Sequence, residues 1–224
     1  MNTNISLKDY KNTIKAKHEK AIIEGIKGFI VQQQIYNAAI KEIRTKLEIL
    51  DEEFQVKYDY NPIHHIEHRL KTPESIYNKL KNKNYEFTLE SIRKNLTDVA
   101  GIRVICNYID DIYRIADLLL SQDDVKLIEI RDYIKNPKSN GYRSLHIIVE
   151  VPIFLAEKTE NVPVEIQIRT IAMDFWASLE HQLKYKSKDE VSEELHGRLK
   201  SCADAIAKLD VEMQSIYKEI KEKN

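Results

Sequence analysis

The stretch V-A-G-I-R-V-I-C, Val99 to Cys106, decides the fold. It is a short run rich in valine and isoleucine, which is typical of a strand buried within a sheet. Other segments have a strand pattern too: Val125 to Arg131, Ser144 to Val151, Val162 to Arg169 and, as a segment that could be extended, His65 to Lys71. Pro152 and Pro163 mark the predicted link between the last two strands of the chain.

Helical patterns alternate with these strands. Thr72-Pro73-Glu74 reads as an N-cap, a first-turn proline and an early acid, so it predicts a helix that runs to about Lys81. Three further helices are predicted at Leu89 to Leu96, Ile112 to Leu120 and Ile171 to about Lys186. The centre of the chain is therefore predicted to be a mixed sheet of four or five strands with helices packed on it, an α/β or α+β fold.

Two long helices, each with one apolar seam, flank this centre. The first seam comprises Ile22, Ile26, Phe29, Tyr36, Ile40, Ile43, Leu47, Leu50 and Phe54, and the second Leu195, Leu199, Cys202, Ile206, Leu209, Met213, Ile216 and Ile220. Steps of three and four residues put each set on one helix face. Such a seam must be covered by another helix, of the same chain or of a neighbouring subunit, and the pattern leaves both interpretations open.

The composition excludes several classes of protein. The 224 residues include 35 Lys and Arg against 36 Asp and Glu, which argues against a general nucleic-acid coat or a membrane-surface protein. Cys106 and Cys202 lack a zinc-like spacing and fit a reduced cytosolic setting. The first residues lack the apolar region of a signal peptide, and no run approaches the ~18 apolar residues of a membrane span, so we expect a cytoplasmic protein.

The segment D-Y-I-K-N-P-K-S-N-G-Y-R-S-L-H, Asp132 to His146, is predicted to begin as a shaped loop. Pro137 fixes one backbone angle, and Asn140-Gly141 tolerate the positive φ of a tight turn. Four cations lie in and beside it, against the single acid Asp132: Arg131, Lys135, Lys138 and Arg143. Together with the ring of Tyr142 they suit a phosphorylated ligand with a base to stack, although a solvated hairpin loop would carry the same charge.

Two carboxylates are candidates for a metal site. In V-E-I-Q-I-R the side chains of Glu165, Gln167 and Arg169 share one face of a central strand, where a carboxylate needs a partner. Asp98, at the start of the Val99 strand, is the second carboxylate, and two such groups commonly hold Mg²⁺ together with phosphate oxygens and water. The alternative, that Glu165 pairs with Arg169 or Arg103, is equally compatible with these residues.

A basic pair, Arg69 and Lys71, leads into the Thr72 helix, which carries Ser75 and Lys79 on one face. This arrangement resembles a triphosphate cradle without a Walker loop, but a solvated helix face would look the same. The three histidines His64, His65 and His68 lack a metal-ligand order and are interpreted as surface residues. In the last central helix, Met173, Trp176, Leu179 and Leu183 form an apolar face that is predicted to be core, and His181 is interpreted as a packing residue.

Four motifs in order resemble the synthetase domain of the RelA/SpoT family, and the chain length is similar to that of the small alarmone synthetases. They are H-R-L-K-T-P-E-S-I-Y-N-K-L from His68, D-V-A-G-I-R-V-I-C from Asp98, the Asp132 to His146 segment, and V-E-I-Q-I-R-T-I-A-M-D-F-W-A-S-L-E-H from Val164. The resemblance implies a nucleotidyltransferase-like fold and a GTP pyrophosphokinase of the stringent response. This activity transfers pyrophosphate from ATP to the 3′-hydroxyl of GDP or GTP, which gives ppGpp or pppGpp.

The resemblance also implies roles for individual residues. It implies adenine between Arg69 and Arg103, the ATP phosphates on Lys71, Ser75 and Lys79, and Mg²⁺ on Asp98 and Glu165. Glu165 would help to deprotonate the attacking hydroxyl. Tyr142 would stack on guanine, and the rest of the acceptor nucleotide would meet Lys135, Lys138, Asn140, His146 and Gln167, with Arg131 at the entry of the loop.

The resemblance has limits. No His-Asp pair of the family's hydrolase domain occurs, so we expect a synthetase without hydrolase activity. The loop entry E-I-R-D, Glu129 to Asp132, leaves the preference among GMP, GDP and GTP open. Three units are expected, a helical extension over residues 1–60, the synthetase domain over 61–187 and an oligomerisation segment over 188–224, and the resemblance suggests a homotetramer. Alternatives are a toxin-like enzyme acting on adenine nucleotides or tRNA, and a catalytically silent sensor or RNA-binding regulator.

Overall fold

The computed structural model describes residues 7–186 and 192–223, with side chains described for residues 23–183 and 192–223. The helices are α1 (Leu7–Lys57), α2 (Pro73–Asn82), α3 (Leu89–Asn95), α4 (Ile109–Leu120), α5 (Ile171–Lys186) and α6 (Glu193–Glu222). The strands are β1 (Ile63–Leu70), β2 (Ala100–Cys106), β3 (Lys126–Asp132), β4 (Leu145–Phe154) and β5 (Thr159–Thr170). The predicted boundary between residues 187 and 188 lies outside the described residues, as does the side chain of Ile22.

The five strands form one sheet in the order β1-β2-β5-β4-β3. Strands β2 and β5 run parallel, while the pairs β1/β2, β4/β5 and β3/β4 are antiparallel. The sheet is therefore mixed, as predicted. β2, whose sequence predicted a strand buried within a sheet, has a neighbouring strand on both edges.

The two faces of this sheet differ in chemistry because side chains alternate along each strand. One face is apolar and includes Ile102, Val104, Ile147, Val149, Val164, Ile166 and Ile168, all in one core cluster with buried residues of α1 and α4. Gly101, Arg103, Glu165, Gln167 and His146 project from the opposite face. The long helix α1 contacts β1, β2, β4 and β5, so it seals the apolar face and leaves the polar one accessible.

Much of the first apolar seam packs within the chain. Tyr36, Ile40, Ile43 and Leu47 are almost fully buried, whereas Ile26, which precedes them in α1, is 55% exposed. The second seam, on α6, is different, because Leu195, Leu209, Met213, Ile216 and Ile220 are all exposed. Packing within the chain therefore accounts for the apolar seam in the second half of α1. It does not account for most of the seam on α6, for which coverage by a neighbouring subunit stays open.

Two predictions about the centre were wrong. Pro152 and Pro163 lie inside β4 and β5, opposite Asn161 and Glu150, and not in the link between the strands. Pro152 lies beyond Glu150, the last residue of β4 that pairs with β3, and Pro163 lies before Val164, the first residue of β5 that pairs with β2. Each proline therefore has a neighbouring strand on one side only, so the N–H that proline lacks is not needed for a second ladder of hydrogen bonds. Leu179 and Leu183 are 43% and 55% exposed, so the predicted core face of α5 ends after Trp176 and Ala177.

Candidate active site

A row of polar side chains crosses the accessible face of the sheet. Arg103 on β2 is opposite Gln167 on β5, Gln167 is opposite His146 on β4, and His146 is opposite Arg131 on β3. Two residues earlier on β2 and β5, Gly101 is opposite Glu165. Directly opposed residues have Cβ atoms about 4.5–5.5 Å apart, so residues far apart in sequence form one surface.

Glu165 lies at the centre of this row and is only 8% exposed. Its Oε1 is 3.4 Å from Nδ1 of His146, and its Oε2 accepts a hydrogen bond of 3.0 Å from Nε2 of Gln167. Burial alone would raise the pKa of the Glu165 carboxyl, but His146 and Gln167 outweigh it, and the pKa lies below its ordinary value. Glu165 is therefore a buried carboxylate that stays ionised near neutral pH, and its partners are neither of the arginines that the sequence suggested.

The hydrogen bonds around Glu165 close into a ring. Arginine can only donate, so Arg169 donates to Oη of Tyr142 and, over 2.8 Å, to Oε1 of Gln167. Oη of Tyr142 lies 2.8 Å from Nε2 of His146, to which it donates its proton. Burial lowers the pKa of His146, so its ring is neutral and we assign its single proton to Nδ1, which faces Glu165. Both arms of the ring thus end in a donor directed at the same carboxylate.

Asp98 forms a second charged centre on the wall of the cleft. The ammonium groups of Lys71 and Lys79 both lie 2.6 Å from its Oδ2. Burial works to raise the pKa of Asp98, but the two lysines prevail and hold it below the ordinary value. Its other oxygen, Oδ1, is buried and has no hydrogen-bond partner among the described residues. Ser75 lies in the first turn of α2, where its backbone N–H donates to the hydroxyl of the N-cap Thr72 over 3.2 Å.

Arg69 and Arg103 border the cleft on β1 and β2. Gly101 lets the side chain of Arg69 lie flat on the sheet, since a Cβ there would be 3.2 Å from Cγ of Arg69. Arg103 lies 3.2 Å from Glu67 and 3.5 Å from Asp174 of α5, which also binds Arg169 at 3.1 Å. A cavity of about 140 Å³ is lined by Arg69, Gly101, Arg103, Glu165 and Gln167 together with other residues of β1 and β2. A larger cavity, which shares Arg69, Arg103 and Gln167 with the first, is also lined by Tyr142, Arg169 and His181.

The β3–β4 loop, residues 133–144, forms the far side of the cleft. Lys138 Nζ lies 4.6 Å from the ring centroid of Tyr133 and 4.9 Å from that of Tyr142. Asn140 receives the backbone N–H of Tyr142 and donates to Glu180 of α5, while the ammonium of Lys135 lies over the ring of Tyr113. Arg131 makes two hydrogen bonds to Glu129, of 2.7 and 2.6 Å. The loop therefore presents an aromatic ring with cations around it.

Asp98 and Glu165 are the candidate ligands of a divalent cation. Within the described residues, no cluster of three or more His, Cys, Asp or Glu side chains could enclose a metal ion. Asp98 and Glu165 nevertheless interact electrostatically, and Asp98 has a buried oxygen without a partner. Such a site suits Mg²⁺ that takes its remaining ligands from water and a bound triphosphate, which is how this ion is commonly held.

Sequence reasoning missed Arg169 and Asp174 as parts of the site. Arg169, 4% exposed, binds Tyr142 and Gln167, and Asp174 joins it to Arg103. The signal for Arg169 was present, since it shares the polar strand face of Glu165 and Gln167. Asp174 gave no comparable signal, because its contacts depend on how α5 packs against the sheet.

Comparison with known proteins identifies close relatives. Residues 68–190 match the model described as the region found in RelA / SpoT proteins. The chain is 44% identical to GTP pyrophosphokinase YwaC of Bacillus subtilis over 83% of its own length and 89% of that protein. GTP pyrophosphokinase YjbM of the same species is 36% identical over 84% of this chain and 87% of that protein.

Solved structures give the same result. The crystal structure of small alarmone synthetase 1 from Bacillus subtilis bound to its product pppGpp superimposes with a TM-score of 0.77 at 36% identity, over 83% of this chain and 94% of that chain. Small alarmone synthetase 2 from the same species superimposes with a TM-score of 0.77 at 42% identity, over 84% of this chain and 97% of that chain.

Proposed function

The chain belongs to the RelA/SpoT family, and from this premise we propose that it is a GTP pyrophosphokinase that makes ppGpp or pppGpp from ATP and GDP or GTP. The observation that carries the proposal is Glu165, a buried carboxylate kept ionised by two directed donors in the middle of a cleft with a basic wall on each side. Few structural roles require that arrangement, because burying a charge costs several kcal/mol.

The donor nucleotide would lie along β1, β2 and α2. Adenine would stack between the guanidinium planes of Arg69 and Arg103, a type of contact worth about 0.5–2 kcal/mol. Lys71, Ser75 and Lys79 would bind the phosphates. The ammonium groups of Lys71 and Lys79 both pair with Asp98, so a bound triphosphate would compete with this carboxylate for them.

The acceptor nucleotide would lie against the β3–β4 loop. Guanine would stack on Tyr142, whose ring is fixed by Arg169 and flanked by Lys138. The remaining contacts, with the phosphates and ribose, would come from Arg131, Lys135, Lys138, Asn140, His146 and Gln167. His146 and Gln167 also touch Glu165, so the same two side chains would bind the acceptor and orient the base.

In the reaction, the 3′-oxygen of the acceptor forms a bond to the β-phosphorus of ATP. The bond from that phosphorus to the α–β bridging oxygen breaks, so pyrophosphate is transferred and AMP leaves. The hydroxyl proton passes to Glu165, for which a general-base contribution of about 10²–10⁴-fold is typical. Mg²⁺ on Asp98 and Glu165 would supply charge neutralisation on the transferred phosphates. The protein's remaining contribution is to hold both nucleotides in line.

We further propose that the protein assembles as a homotetramer through its terminal helices and acts in the cytoplasm. Support for the first point is the exposed apolar surface on both helices, including Ile23, Ile26 and Ile30 of α1 and Leu209 and Met213 of α6. No helix within the described residues is long and apolar enough to cross a membrane.

The test is to incubate the purified protein with ATP, Mg²⁺ and, separately, GMP, GDP, GTP, ADP or tRNA, and to resolve the products by ion-exchange chromatography. AMP together with a guanosine 3′-pyrophosphate is the expected result, and the rates rank the acceptors. Modified adenosine or tRNA would instead identify a toxin-like enzyme, and a folded protein that yields no AMP with any acceptor would identify a sensor.

A further inference from the structure

The β3–β4 loop rests directly on the C-terminal helix α6. Gly141, buried and with φ of +88°, lies so close to this helix that a Cβ on it would be 2.5 Å from the Cβ of Ala203. The next residue but one, Arg143, donates to the backbone carbonyl of Ala203 over 3.4 Å and binds the carboxylate of Asp204 at 3.1 Å. The residue between these two contacts is Tyr142.

A second set of contacts locks the same junction. Tyr142, Leu199 and Ile206 pack on a small cluster formed by the buried residues Trp176, Ala177 and Ala203. The indole N–H of Trp176 donates to the carbonyl of Leu199 over 3.0 Å, which ties α5 to α6 at this level. One side of the Tyr142 environment is thus built by α6, which follows the sheet and its helices in the sequence.

The packing contact outweighs the ion pair in this junction. Asp204 is 41% exposed and also binds Lys200, and exposed pairs of this kind contribute about 0–1 kcal/mol. The approach of Gly141 to Ala203 is different, because a backbone in van der Waals contact with a helix cannot yield without moving the loop. The small side chain at position 203 therefore determines how deep the loop sits.

We propose that α6 is a positioning element of the acceptor site, with Ala203 as its main positioning residue and Asp204 as a supporting one. By fixing Gly141 and Arg143, they set the position of the Tyr142 ring on which guanine stacks. This inference rests on the proposed function, and it assigns α6 a role inside each subunit that is separate from subunit assembly.

The experiment compares Ala203→Leu with Ala205→Leu. Position 205 is exposed on the same helix, so this control carries the same change in size and helix propensity without touching the loop. Ala203→Leu is expected to raise KM for GDP at least fivefold, while KM for ATP and kcat at saturating GDP stay within twofold of wild type. Ala205→Leu should behave as wild type in all three. An unchanged KM for GDP in folded Ala203→Leu, or equal losses for GDP and ATP, would overturn the proposal.

Tryptophan fluorescence gives a readout that does not depend on catalysis. The chain has a single tryptophan, and it lies in this junction. Ala203→Leu should shift the emission maximum of Trp176, and Ala205→Leu should not. Calorimetric titration of each variant with GDP alone should show the same loss of affinity as the kinetics. If the wild type bound GDP but made no product, the proposed function would fail while this comparison still decided the role of α6.

A second variant covers the case in which Ala203→Leu does not fold. Gly141→Ala introduces the same clash from the loop side, and Ala203→Gly in the same chain removes it again, leaving only the strain of the positive φ. The double variant should therefore bind GDP more tightly than Gly141→Ala alone, by at least threefold. Equal affinities for the two would mean that the contact between Gly141 and Ala203 does not position the loop.

Discussion

Glu165 shows how a single residue can be buried and still keep its charge. Desolvation of a carboxylate disfavours ionisation, and here it is offset by donors from two directions, Nδ1 of His146 and Nε2 of Gln167. Arg169 fixes both of them, one through Tyr142 and one directly. Because arginine has no acceptor, Arg169 donates in both contacts, and Oε1 of Gln167, which accepts from it, leaves Nε2 to donate to the carboxylate.

Glu165→Gln should reduce turnover by at least about 10²–10³-fold, because the amide can neither accept the hydroxyl proton nor hold a cation. The fold should persist, since glutamine has nearly the same volume and can still accept from Gln167. Product formation and thermal unfolding of the purified variant are the measurements. Glu150→Gln, on the same sheet but paired with Lys126 outside the cleft, is the matched control. A folded Glu165→Gln with near-normal turnover would remove Glu165 from the mechanism.

Tyr142→Ala should weaken the guanine nucleotide far more than ATP. Loss of one stacked base contact costs about 1–3 kcal/mol, which corresponds to roughly 5- to 150-fold in affinity. The affinities for GDP and for a non-hydrolysable ATP analogue can be measured separately by calorimetry. Tyr85→Ala, another tyrosine on the surface, is the control and should change neither. Equal losses for the two nucleotides would refute the stacking assignment.

The lowered pKa of His146 predicts an acid-side loss of stability. The unfolded chain takes up this proton near the ordinary pKa of 6.5, before the folded protein does, so folded stability is greatest above that value and falls as pH decreases below it. Glu165, whose pKa is also lowered, adds a loss in the same direction below its ordinary value of 4.5. Urea denaturation between pH 7.5 and 5.0 should give a smaller decrease for His146→Gln than for wild type, and parallel curves would contradict the prediction.

Among the elements, α2 illustrates a helix whose start is written in the sequence. Thr72 caps it as predicted, accepting the N–H of Ser75, and Pro73 is its first residue. The same helix carries Lys79, whose ammonium group binds Asp98, so its cap also fixes part of the proposed phosphate site. By contrast, Pro152 and Pro163 were wrongly predicted to lie in the link between two strands. A strand can contain proline where it has a neighbour on one side only, and this depends on where the neighbouring strands end.

Thr72→Ala should destabilise the protein by about 1 kcal/mol, the usual cost of losing an N-cap, and Thr72→Ser should restore most of it. KM for ATP should rise in Thr72→Ala, whereas KM for GDP should not, because α2 lies on the donor side of the cleft. Denaturant unfolding and steady-state kinetics of the three proteins test this. A Thr72→Ser variant as weak as Thr72→Ala would show that the hydroxyl cap is not responsible.

At the scale of the whole molecule, α1 divides the surfaces of the sheet. Its second half packs on the apolar face of the sheet, so the cleft forms on the opposite face, from which Arg103, Glu165 and Gln167 project. Residues 23–31 of α1 and most of the described part of α6 include exposed apolar side chains, among them Ile26 and Met213. The same helix thus combines a role in the core with surface available for subunit contacts.

Ile43→Ala and Ile26→Ala separate these two parts of α1. Ile43 is fully buried, and its truncation should cost about 2–5 kcal/mol at any protein concentration. Ile26 is 55% exposed, so its truncation should cost less than about 0.5 kcal/mol within a subunit. Thermal unfolding at several protein concentrations is the measurement. A destabilisation by Ile26→Ala that varies with protein concentration would support the proposed tetramer. If Ile26→Ala destabilised the protein as much as Ile43→Ala at every concentration, the assignment of Ile26 to a surface outside the core would be refuted.

The sequence predicted the strands, the helices of the centre and the cation-rich loop, because these depend on local periodicity and on turn residues such as Pro137 and Gly141. It also singled out Glu165 and Asp98, since a carboxylate on a buried strand needs a partner. The sequence did not reveal that this partner is His146, nor that Asp174 lies between Arg103 and Arg169. Those contacts join segments that are distant in the chain.

The sequence by itself determined the family and the mixed sheet, because hydrophobic periodicity and short motifs are local properties of the chain. Only the tertiary structure decided which of the two apolar seams is buried. Tyr36 and Met213 both belong to predicted seams, but Tyr36 is buried and Met213 is exposed. The tertiary structure also brought Ala203 of α6 against Gly141 of the loop. Such contacts are fixed by how layers pack, and packing depends on all elements at once, which no local pattern encodes.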